Sequence, residues 1–475
     1  MEKKIEKLYS RSLRKMSSAL KEVESVITAF NTNIDAVHFL KSDELKRIIS
    51  QSNREELMNK LRKPANKIVQ NEDFLAGLLL SMKAGEGVEW IIEREDVVDW
   101  IQENFSVDEY RMGGFAGITA NALARLGVKT VYPHVPSLPE LQAELFIERE
   151  RIRIPSEADG GLCFKNPLEA AREGDEPLIH WIFEYRRGTE TKVEGERIIA
   201  PQPNRFIATW DEKNTRLYVD EAFAKGMRKT VGEVDLALIS GYHMMVESER
   251  FSREEYLERI RFTKNLLNEW KKAGDVKIHL ELAFFTDLNV LKATLTHLNE
   301  VIDGMGLNES ELAQCLSSFG EKNLSREISG DLKIEALLKG LLLLAKKINL
   351  KKIVLHTKDF CIAISRKPVE KNLSEAMAAG NCVAMAKAVT GKFCNLNEIE
   401  EIVRGRNTSL SGEGLRRFRA LKRELNREGC RPIGDFSFNM NNYVLWFMPM
   451  KIAEKPLSTV GLGDCFTAGF SLLAY

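Results

Sequence analysis

A short run near the end of the chain combines residue types suited to phosphate chemistry. Residues 458–470 read STVGLGDCFTAGF, and Asp464 directly follows two glycines that flank Leu462. Glycine permits turns in which backbone N–H groups converge, and a helix start adds unpaired amides and a positive dipole end. A carboxylate beside such an anion site suits a general base, which takes a proton from a hydroxyl that attacks phosphorus. The alternative is a helix start with an acidic cap.

Composition indicates a globular protein and excludes several classes of partner. The chain has 475 residues, of which 44% are hydrophobic and 29% charged, and this length favours two or more domains. The 69 basic and 69 acidic residues balance, so nothing indicates a nucleic-acid partner or an anionic membrane. The start is charged, and Lys339 interrupts the longest apolar run, residues 337–345. We therefore predict no signal peptide, no membrane span and a cytoplasmic location.

The cysteines do not indicate a disulfide framework or a zinc site. Seven cysteines are dispersed along the chain, and no two of them form a C-x-x-C pair. Cys465, inside the glycine-rich run, is interpreted as a small apolar residue at a helix start. A nucleophile is the less favoured interpretation, because no histidine lies near it in the sequence.

Hydrophobic patterning predicts a parallel α/β sheet with a β-rich insertion. Apolar runs predict strands, and the segments between them predict helices, at 253–273, 289–303, 309–318 and 332–348. The strand runs are 26–30, 235–241, 276–282, 352–357 and 361–364. Residues 150–222 instead show short alternating segments and turns, among them Asp159-Gly160-Gly161, which are typical of antiparallel strands. Such an insertion forms either a lid over a crevice or a decorative hairpin subdomain.

Polar residues at the predicted strand ends are candidate ligand contacts. Asn33 and Asp35 follow the first strand, at the edge where open α/β sheets bind ligands. They are expected either to grip polyol hydroxyls or to form an Asx-rich turn. Glu281 ends a later strand, and the run NESE at 308–311 can form a helix capping box. The functional alternative is that Glu281 and Glu311 hold Mg²⁺ through water.

Six motifs, in this order, resemble those of the archaeal-type ADP-dependent glucokinase and phosphofructokinase family within the ribokinase-like superfamily. They are NTNID at 31–35, GGFAG at 113–117, PNRFI at 203–207, HLE at 279–281, NESE at 308–311 and TVGLGD at 459–464. The resemblance implies an α/β fold in which helices flank a central, mostly parallel sheet and a smaller β-rich lid covers the sugar. The expected large domain comprises residues 1–34, 113–150 and 223–475, and the expected lid comprises 35–112 and 151–222.

The resemblance also implies a reaction, in which a sugar hydroxyl receives the β-phosphoryl group of ADP and AMP is released, with Mg²⁺ as cofactor. No Gly-x4-Gly-Lys-Ser/Thr loop occurs in the chain, which favours phosphate binding at 461–464. The implied roles are Asp464 as base; Gly461, Leu462 and Gly463 as anion hole; Glu281, Glu311 and Asp464 at the metal; Asn33, Asp35, Gly114 and Phe115 at the sugar; and Arg205, His356, Thr357, Met450 and Ile452 at the nucleotide.

Two departures from the family pattern bear on the acceptor. Phe115 stands where the family usually has glutamine, and Ala76 aligns with a glutamate that contacts glucose in glucose-using members. Losing two hydroxyl contacts disfavours glucose. We therefore expect a sugar phosphate, fructose 6-phosphate by default, with its phosphate bound by Lys165, Arg186 or Arg187. Ribose 1-phosphate or glucose is the alternative acceptor.

A different class of function also fits the fold that the resemblance implies. The chain could be a nucleotide-binding sensor without kinase activity. The carboxylates at 281, 311 and 464 are all present, and they favour an enzyme. The residues themselves assign neither ADP over ATP nor an oligomeric state.

Overall fold

The chain alternates helices and strands in a computed structural model that describes residues 1–158, 161–248, 251–427 and 429–475. The predicted turn at Asp159 and Gly160 lies outside these residues. The helices are α1 Glu2–Glu22, α2 Ser42–Gln51, α3 Arg54–Arg62, α4 Asn71–Ala84, α5 Glu95–Asn104, α6 Phe115–Leu126, α7 Glu140–Glu144, α8 Glu212–Thr215, α9 Glu221–Thr230, α10 Arg253–Ala273, α11 Leu288–Leu298, α12 Glu309–Ser318, α13 Lys322–Asp331, α14 Ile334–Lys347, α15 Leu373–Thr390, α16 Leu396–Arg404, α17 Gly412–Arg427 and α18 Leu462–Ala474. None of the helices in these ranges is both long and apolar enough to cross a membrane.

The strands fall mainly into two sheets. They are β1 Ser25–Ala29, β2 Asn33–Phe39, β3 Val88–Ile91, β4 Glu109–Gly113, β5 Thr130–Pro133, β6 Ile154–Ala158, β7 Gly161–Lys165, β8 Ile179–Tyr185, β9 Glu190–Val193, β10 Glu196–Ile199, β11 Asn204–Trp210, β12 Leu236–Ile239, β13 Lys277–Glu281, β14 Gly304–Leu307, β15 Lys352–His356, β16 Phe360–Arg366, β17 Thr408–Leu410, β18 Arg431–Pro432, β19 Ser437–Met440, β20 Tyr443–Pro449 and β21 Lys451–Ala453. Short 3-10 turns occur at 149–151, 231–233 and 242–244.

The central sheet confirms the predicted α/β class. Among the described residues its strand order is β18-β19-β20-β16-β15-β14-β13-β12-β1-β5. The strands from β15 to β5 pair in parallel, and β16, β20, β19 and β18 extend one edge in antiparallel fashion. β1 and β12 are buried along their whole length. Continuous apolar strands of this kind occur because helices cover both faces of a parallel sheet.

Helices α15 and α18 approach each other closely beside the central sheet. A Cβ atom on Gly380 of α15 would lie 2.7 Å from the Phe466 carbonyl oxygen. One on Gly469 of α18 would lie 2.6 Å from a Val383 methyl group. Glycine at these two positions therefore lets the helix backbones nearly touch. This contact fixes the start of α18 against the last turns of α15.

A second sheet has one apolar and one polar face. Its described strands lie in the order β3-β11-β8-β2-β4. One face carries buried residues such as Trp181, Phe183 and Phe206, which form a separate hydrophobic cluster with residues of α2 to α5. Because side chains alternate along a strand, the opposite face carries the polar residues Asp35 and His180, which are register partners. This sheet and its helices match the expected β-rich lid.

The hairpin of β6 and β7 differs from the expected division of the chain. It falls within the predicted lid segment 151–222, yet Ile152, Ile154 and Ala170 belong to the hydrophobic core around the central sheet. A Cβ atom on Gly226 of α9 would lie 2.7 Å from Pro155. The described residues between 152 and 170 therefore pack on the core around the central sheet, because Ile152, Ile154 and Ala170 face that core and Pro155 faces α9. We propose that the second lid segment begins near residue 178.

Candidate functional site

The predicted anion site lies at the N-terminus of α18. Gly461 is the N-cap residue, with φ of 66° and ψ of 22°, a left-handed conformation that favours glycine. The amides of Leu462, Gly463 and Asp464 belong to the first turn, where N–H groups have no acceptor within the helix. The half-buried Asp464 side chain belongs to the same turn. The structure thus brings the proposed base and the proposed anion hole together.

Asp464 shares its surroundings with charged groups from four other elements. Burial, and next the charge of Glu281, raise the pKa of Asp464 to about 6. The charges of Lys387 and His356 act in the opposite direction, and that of Asp35 adds to the increase. A carboxylate with a pKa near neutrality is well matched to general-base work at physiological pH.

Glu281 is the centre of a buried hydrogen-bond network beneath α18. Its Oε1 accepts from His356 Nε2 at 2.7 Å. Its Oε2 accepts from Thr467 Oγ1 at 2.7 Å and from His279 Nε2 at 3.2 Å. Burial opposes ionisation, but the charge of His356 and the hydrogen bonds from both histidines together lower the pKa of Glu281 to about 2. A Cβ on Gly306 would overlap this carboxylate, so the neighbouring strand carries glycine.

The two histidines play different roles around Glu281. Burial lowers the pKa of His279, so its ring is neutral, with Nε2–H donating to Glu281 and Nδ1 accepting from the Tyr475 hydroxyl at 2.8 Å. Burial opposes protonation of the partly buried His356, yet the charge of Glu281 and the hydrogen bond to it raise its pKa. The His356 ring lies 4.9 Å from that of Phe466 on α18. His356, predicted as a nucleotide contact, therefore lies beside the start of α18, and its contact with a nucleotide stays a prediction.

Glu311 forms a capping box at the start of α12. Its Oε2 accepts from the Asn308 backbone N–H at 2.7 Å, and Asn308 Oδ1 accepts from the Glu311 N–H at 2.9 Å. The capping-box interpretation is therefore confirmed. Burial, and next the charge of Glu281, raise the pKa of Glu311 to about 7. Asp464 and Glu311 thus both experience the negative charge of Glu281.

The carboxylates of Glu281, Glu311 and Asp464 suit a cation that is bound through water molecules. Within the ranges that the structure describes, no group of three His, Cys, Asp or Glu side chains is arranged to hold a metal ion directly. The hydrogen bonds of Glu281 and Glu311 already occupy their oxygens. Their combined negative charge nevertheless favours a cation, and Mg²⁺ commonly retains several of its waters. The residues therefore fit Mg²⁺ bound through water rather than by direct coordination to all three carboxylates.

Asn33 and Asp35 form a buried polar pair on β2. Asn33 Nδ2 donates to Asp35 Oδ1 at 2.8 Å, and Asn33 Oδ1 has no partner among the described residues. A Cβ on Gly113 would overlap both side chains, and one on Gly114, whose φ is 74°, would lie 2.6 Å from the Asn31 carbonyl oxygen. A buried acceptor without a donor suits a ligand hydroxyl. The structure thus brings Asn33, Asp35 and Gly114 together as predicted.

A second polar cluster beside Asp35 was missed by the sequence analysis. His180 Nε2 lies 3.1 Å from Asp211 Oδ2, and His180 Nδ1 lies 3.6 Å from Glu89 Oε1. Thr209 Oγ1 donates to Glu89 Oε1 at 2.6 Å. Burial opposes protonation of His180, but its hydrogen bond to Asp211 and the two carboxylate charges raise its pKa. The available signal was a polar residue inside otherwise apolar strands, such as His180 within IHWIFEY.

The structure corrects one step in the choice of acceptor. Ala76 is fully buried in α4, within the hydrophobic cluster of the lid, so it does not face the polar side of the sheet. Glu89 supplies a carboxylate on that polar side instead. Phe115 is the first residue of α6 and is buried in the core of the large domain. Of the two departures that disfavour glucose, only the one at Phe115 therefore stands.

The basic residues predicted to bind a sugar phosphate make no described contact with the pair of Asn33 and Asp35. Lys165 ends β7 in the hairpin that packs on α9. Arg186 and Arg187 are exposed after β8, where the Arg186 N–H donates to Thr189 Oγ1. No contact of the described residues joins them to Asn33 or Asp35. Phosphate binding at these positions stays a prediction.

Two arginines of the lid sheet differ in their ion pairs among the described residues. Arg111, which the sequence analysis missed, forms ion pairs with Glu109 and with Glu184, the latter at 2.9 Å. Arg205 on β11 has no ion-pair partner in the described part of the chain, and its charge lowers the pKa of Asp35 against the effect of burial. The guanidinium of Arg205 is therefore available to an anionic ligand near Asp35.

The other predicted nucleotide contacts surround one turn. Thr357 Oγ1 accepts from the Phe360 N–H at 3.0 Å and closes the connection from β15 to β16. The Met450 N–H donates to the Asp359 carbonyl oxygen at 2.9 Å. Ile452 lies two residues further along, in β21. The structure thus brings Thr357 close to the segment 450–452, and their contact with a nucleotide stays a prediction.

Comparison with known proteins gives matches over nearly the whole chain. The conserved region of ADP-specific phosphofructokinases and glucokinases matches residues 24–473. An ADP-dependent glucose/glucosamine kinase of Pyrococcus abyssi is 31% identical, over 98% of this chain and 99% of its own. An ADP-specific phosphofructokinase of Thermococcus kodakarensis is 30% identical, over 94% of each chain. The solved structure of an ADP-dependent kinase in complex with fructose 6-phosphate and ADPβS has a TM-score of 0.84 and 27% identity, and the match covers 99% of this chain and 97% of that one.

Proposed function

Because the chain belongs to the family of ADP-specific phosphofructokinases and glucokinases, we propose that it transfers the β-phosphoryl group of ADP to a hydroxyl of fructose 6-phosphate and releases AMP. The chain is an ADP-dependent sugar kinase, and the predicted family resemblance is confirmed. The observation that carries the proposed chemistry is the position of Asp464, within a helix turn of unpaired amides and above the buried Glu281 network.

Asp464 acts as the general base of the transfer. Its carboxylate takes the proton of the attacking hydroxyl, whose oxygen forms the new bond to phosphorus. The bond from that phosphorus to the oxygen of AMP breaks, and AMP leaves with the electron pair. The amides of Leu462 and Gly463 donate to the phosphoryl oxygens, so the charge that spreads over them is met by fixed dipoles. Closure of the site against water strengthens these interactions.

The sugar lies against the polar face of the lid sheet. Asn33 Oδ1 and the Asp35 carboxylate accept hydrogen bonds from sugar hydroxyls. His180, which Asp211 orients, lies on the neighbouring strand and donates a hydrogen bond to a sugar hydroxyl. Arg205 binds the phosphates of the nucleotide from the lid side. These contacts align the hydroxyl with phosphorus, and alignment supplies much of the acceleration in phosphoryl transfer.

Mg²⁺ is the cofactor that these carboxylates suit. Glu281, Glu311 and Asp464 would hold its waters, and the ion would supply positive charge that offsets the charge of the phosphates. The support is the pKa of Glu311 and of Asp464, which burial and next the charge of Glu281 raise, because a bound cation would offset that negative charge. The cytoplasmic location stays a prediction of the sequence.

Glucose is a second candidate acceptor. The observation in its favour is Glu89, which lies 3.6 Å from His180 and places a further carboxylate among the candidate hydroxyl contacts. A carboxylate is a strong acceptor for a hydroxyl, but it repels a phosphate group. Glu89 therefore favours a neutral sugar, whereas Phe115 removes an amide that would serve one.

A panel of acceptors tests the proposed function. AMP release from ADP and Mg²⁺ is measured with fructose 6-phosphate, glucose and ribose 1-phosphate, each against a sample without acceptor. We expect the highest kcat/KM with fructose 6-phosphate. A higher value with glucose would replace the first candidate by the second. Tight ADP binding without AMP release from any acceptor would contradict the kinase assignment and favour the sensor.

A further inference from the structure

A buried lysine lies at the candidate phosphate site without an anionic partner. Lys387, near the end of α15, is 9% exposed. Its ammonium lies 3.9 Å from the centroid of the Phe393 ring. Among the residues that the structure describes, no oxygen accepts a hydrogen bond from this ammonium and no carboxylate lies within ion-pair distance. A lysine whose stem is buried in this way keeps its ammonium at the surface of the site, where water or an anionic ligand can accept its hydrogen bonds.

The packing of α15 on α18 places this ammonium at the first turn of α18. Lys387 Nζ lies 3.3 Å from the position that a Cβ on Gly461 would occupy. The Leu457 N–H donates to the Ala388 carbonyl oxygen at 2.7 Å, which ties the segment before Gly461 to the same end of α15. The ammonium is also near enough to Asp464 and Cys465 for its charge to lower their pKa values.

The two positive features at this point repel each other, and Asp464 in the same turn offsets this only in part, because no ion pair joins it to the ammonium among the described residues. The N-terminus of a helix carries a partial positive charge, and cations there are unfavourable. Lys387 adds a full positive charge at the same place. The Phe393 ring stabilises the ammonium in this position through a cation–π contact. An oxyanion between the ammonium and the amides of α18 would be attracted by both.

We propose that the Lys387 ammonium binds a non-bridging oxygen of the phosphoryl group that is transferred. Lys387 is then a catalytic residue, which donates a hydrogen bond to the group that moves from ADP to the acceptor. No proton leaves the lysine, because the proton of the attacking hydroxyl goes to Asp464. The inference rests on the proposed function, since it identifies the ligand as the β-phosphoryl group of ADP.

The alternative role for Lys387 is that of a counter-ion to Asp464. A double substitution distinguishes this role from phosphoryl binding. In Asp464→Asn the carboxylate is gone, so a counter-ion has nothing left to stabilise. We compare Asp464→Asn with Asp464→Asn/Lys387→Met by calorimetric titration with ADP and with AMP. We expect Lys387→Met to weaken ADP binding about tenfold to a hundredfold, the usual range for a hydrogen bond to a charged group. AMP binding should change less than about threefold, because AMP lacks the β-phosphoryl group.

Matched variants control for charge and folding. Lys387→Arg retains a cation and is expected to keep most of the preference for ADP over AMP. Lys392→Met removes an exposed lysine of the next loop and should leave both affinities unchanged. Thermal unfolding of each variant checks that it is folded, and Lys387→Gln replaces Lys387→Met if the methionine variant is not.

Three results would overturn the assignment of Lys387. The first is that Lys387→Met leaves the affinity for ADP unchanged, and the second is that it lowers the affinities for ADP and AMP equally. The third is that it lowers the affinity for ADP in the wild-type background but not in the Asp464→Asn background. The titrations need no acceptor and no turnover, so they decide the role of Lys387 separately from the reaction. A wild-type protein that releases no AMP with any acceptor would contradict the proposed function, while the difference between ADP and AMP binding would still test this lysine.

Discussion

Asp464 combines two properties that oppose each other. As the proposed base its carboxylate must be ionised to accept a proton, yet burial and the neighbouring Glu281 raise its pKa to about 6. The folded protein therefore tolerates an unfavourable charge at neutral pH in the absence of ligands. Such a cost in stability is common where a site is organised for chemistry rather than for folding.

The difference in free energy of unfolding between Asp464→Asn and wild type should consequently depend on pH. The folded state binds this proton more tightly than the unfolded chain does, because the pKa rises from 3.8 to about 6 on folding. The contribution of Asp464 is therefore most favourable below pH 3.8 and is lost as the pH rises through about 6. We expect Asp464→Asn to be more stable than wild type at pH 8, and the difference to shrink as the pH falls toward 4. Urea unfolding at several pH values measures it.

A surface substitution provides the control for this comparison. Asp43→Asn changes an exposed carboxylate of α2 and should alter stability little. An Asp464→Asn protein less stable than wild type at pH 8 would contradict the assigned cause of the pKa shift. A difference in stability that does not vary with pH would do the same.

The sequence predicted individual elements well where the signal was local. The buried strands β1 and β12 correspond to apolar runs, β13 and β15 lie within two more of the predicted strand runs, and the glycine-aspartate run does open α18. Lys387 could not be predicted in this way, because α15 and α18 are brought together by helix packing and Gly461 lies far along the chain. Glu89 and His180 were missed for a similar reason, since sheet pairing rather than sequence spacing makes them neighbours.

The connection from β4 to α6 provides a test at the scale of elements. Gly113 has no room for a side chain, because a Cβ would overlap Asp35 and Asn33. We expect Gly113→Ala to displace this polar pair and to raise the KM for the acceptor at least tenfold. ADP affinity should remain within about threefold, since the α18 turn is untouched. Steady-state kinetics and ADP titration measure the two effects.

A second glycine supplies the matched control. A Cβ on Gly174 would meet no atom within 4 Å, and its φ is not left-handed. Gly174→Ala should therefore leave both constants unchanged. A larger effect of Gly113→Ala on ADP than on the acceptor would contradict the placement of the sugar beside Asn33 and Asp35.

At the scale of the whole molecule, the two proposed ligand-binding surfaces belong to separate hydrophobic cores. One cluster of buried side chains surrounds the central sheet, and the other lies between the lid sheet and α2 to α5. Asp464 belongs to the first body, and Asp35 and Arg205 belong to the second. Reaction requires both bodies to contact the same pair of substrates, so closure of the crevice is expected to accompany binding.

Arg205 should couple the nucleotide to this closure. Its guanidinium is unpaired in the described contacts and lies on the lid, so phosphates bound at α18 would attract it. We expect the radius of gyration, measured by small-angle scattering, to fall when ADP and the acceptor bind to the wild type. Arg205→Ala should reduce this change. Arg197→Ala, which removes an exposed arginine paired with Glu190, should not.

The rate of AMP release by Asp464→Asn, compared with wild type at pH 8 and saturating ADP and acceptor, tests the central claim most directly. At this pH the carboxylate of the wild type is ionised, because its pKa is about 6. A positioned general base contributes about 10²- to 10⁴-fold, so the account predicts a loss of kcat in that range with ADP still bound. A variant that retains kcat within about tenfold of wild type would contradict the assignment of Asp464 as the base.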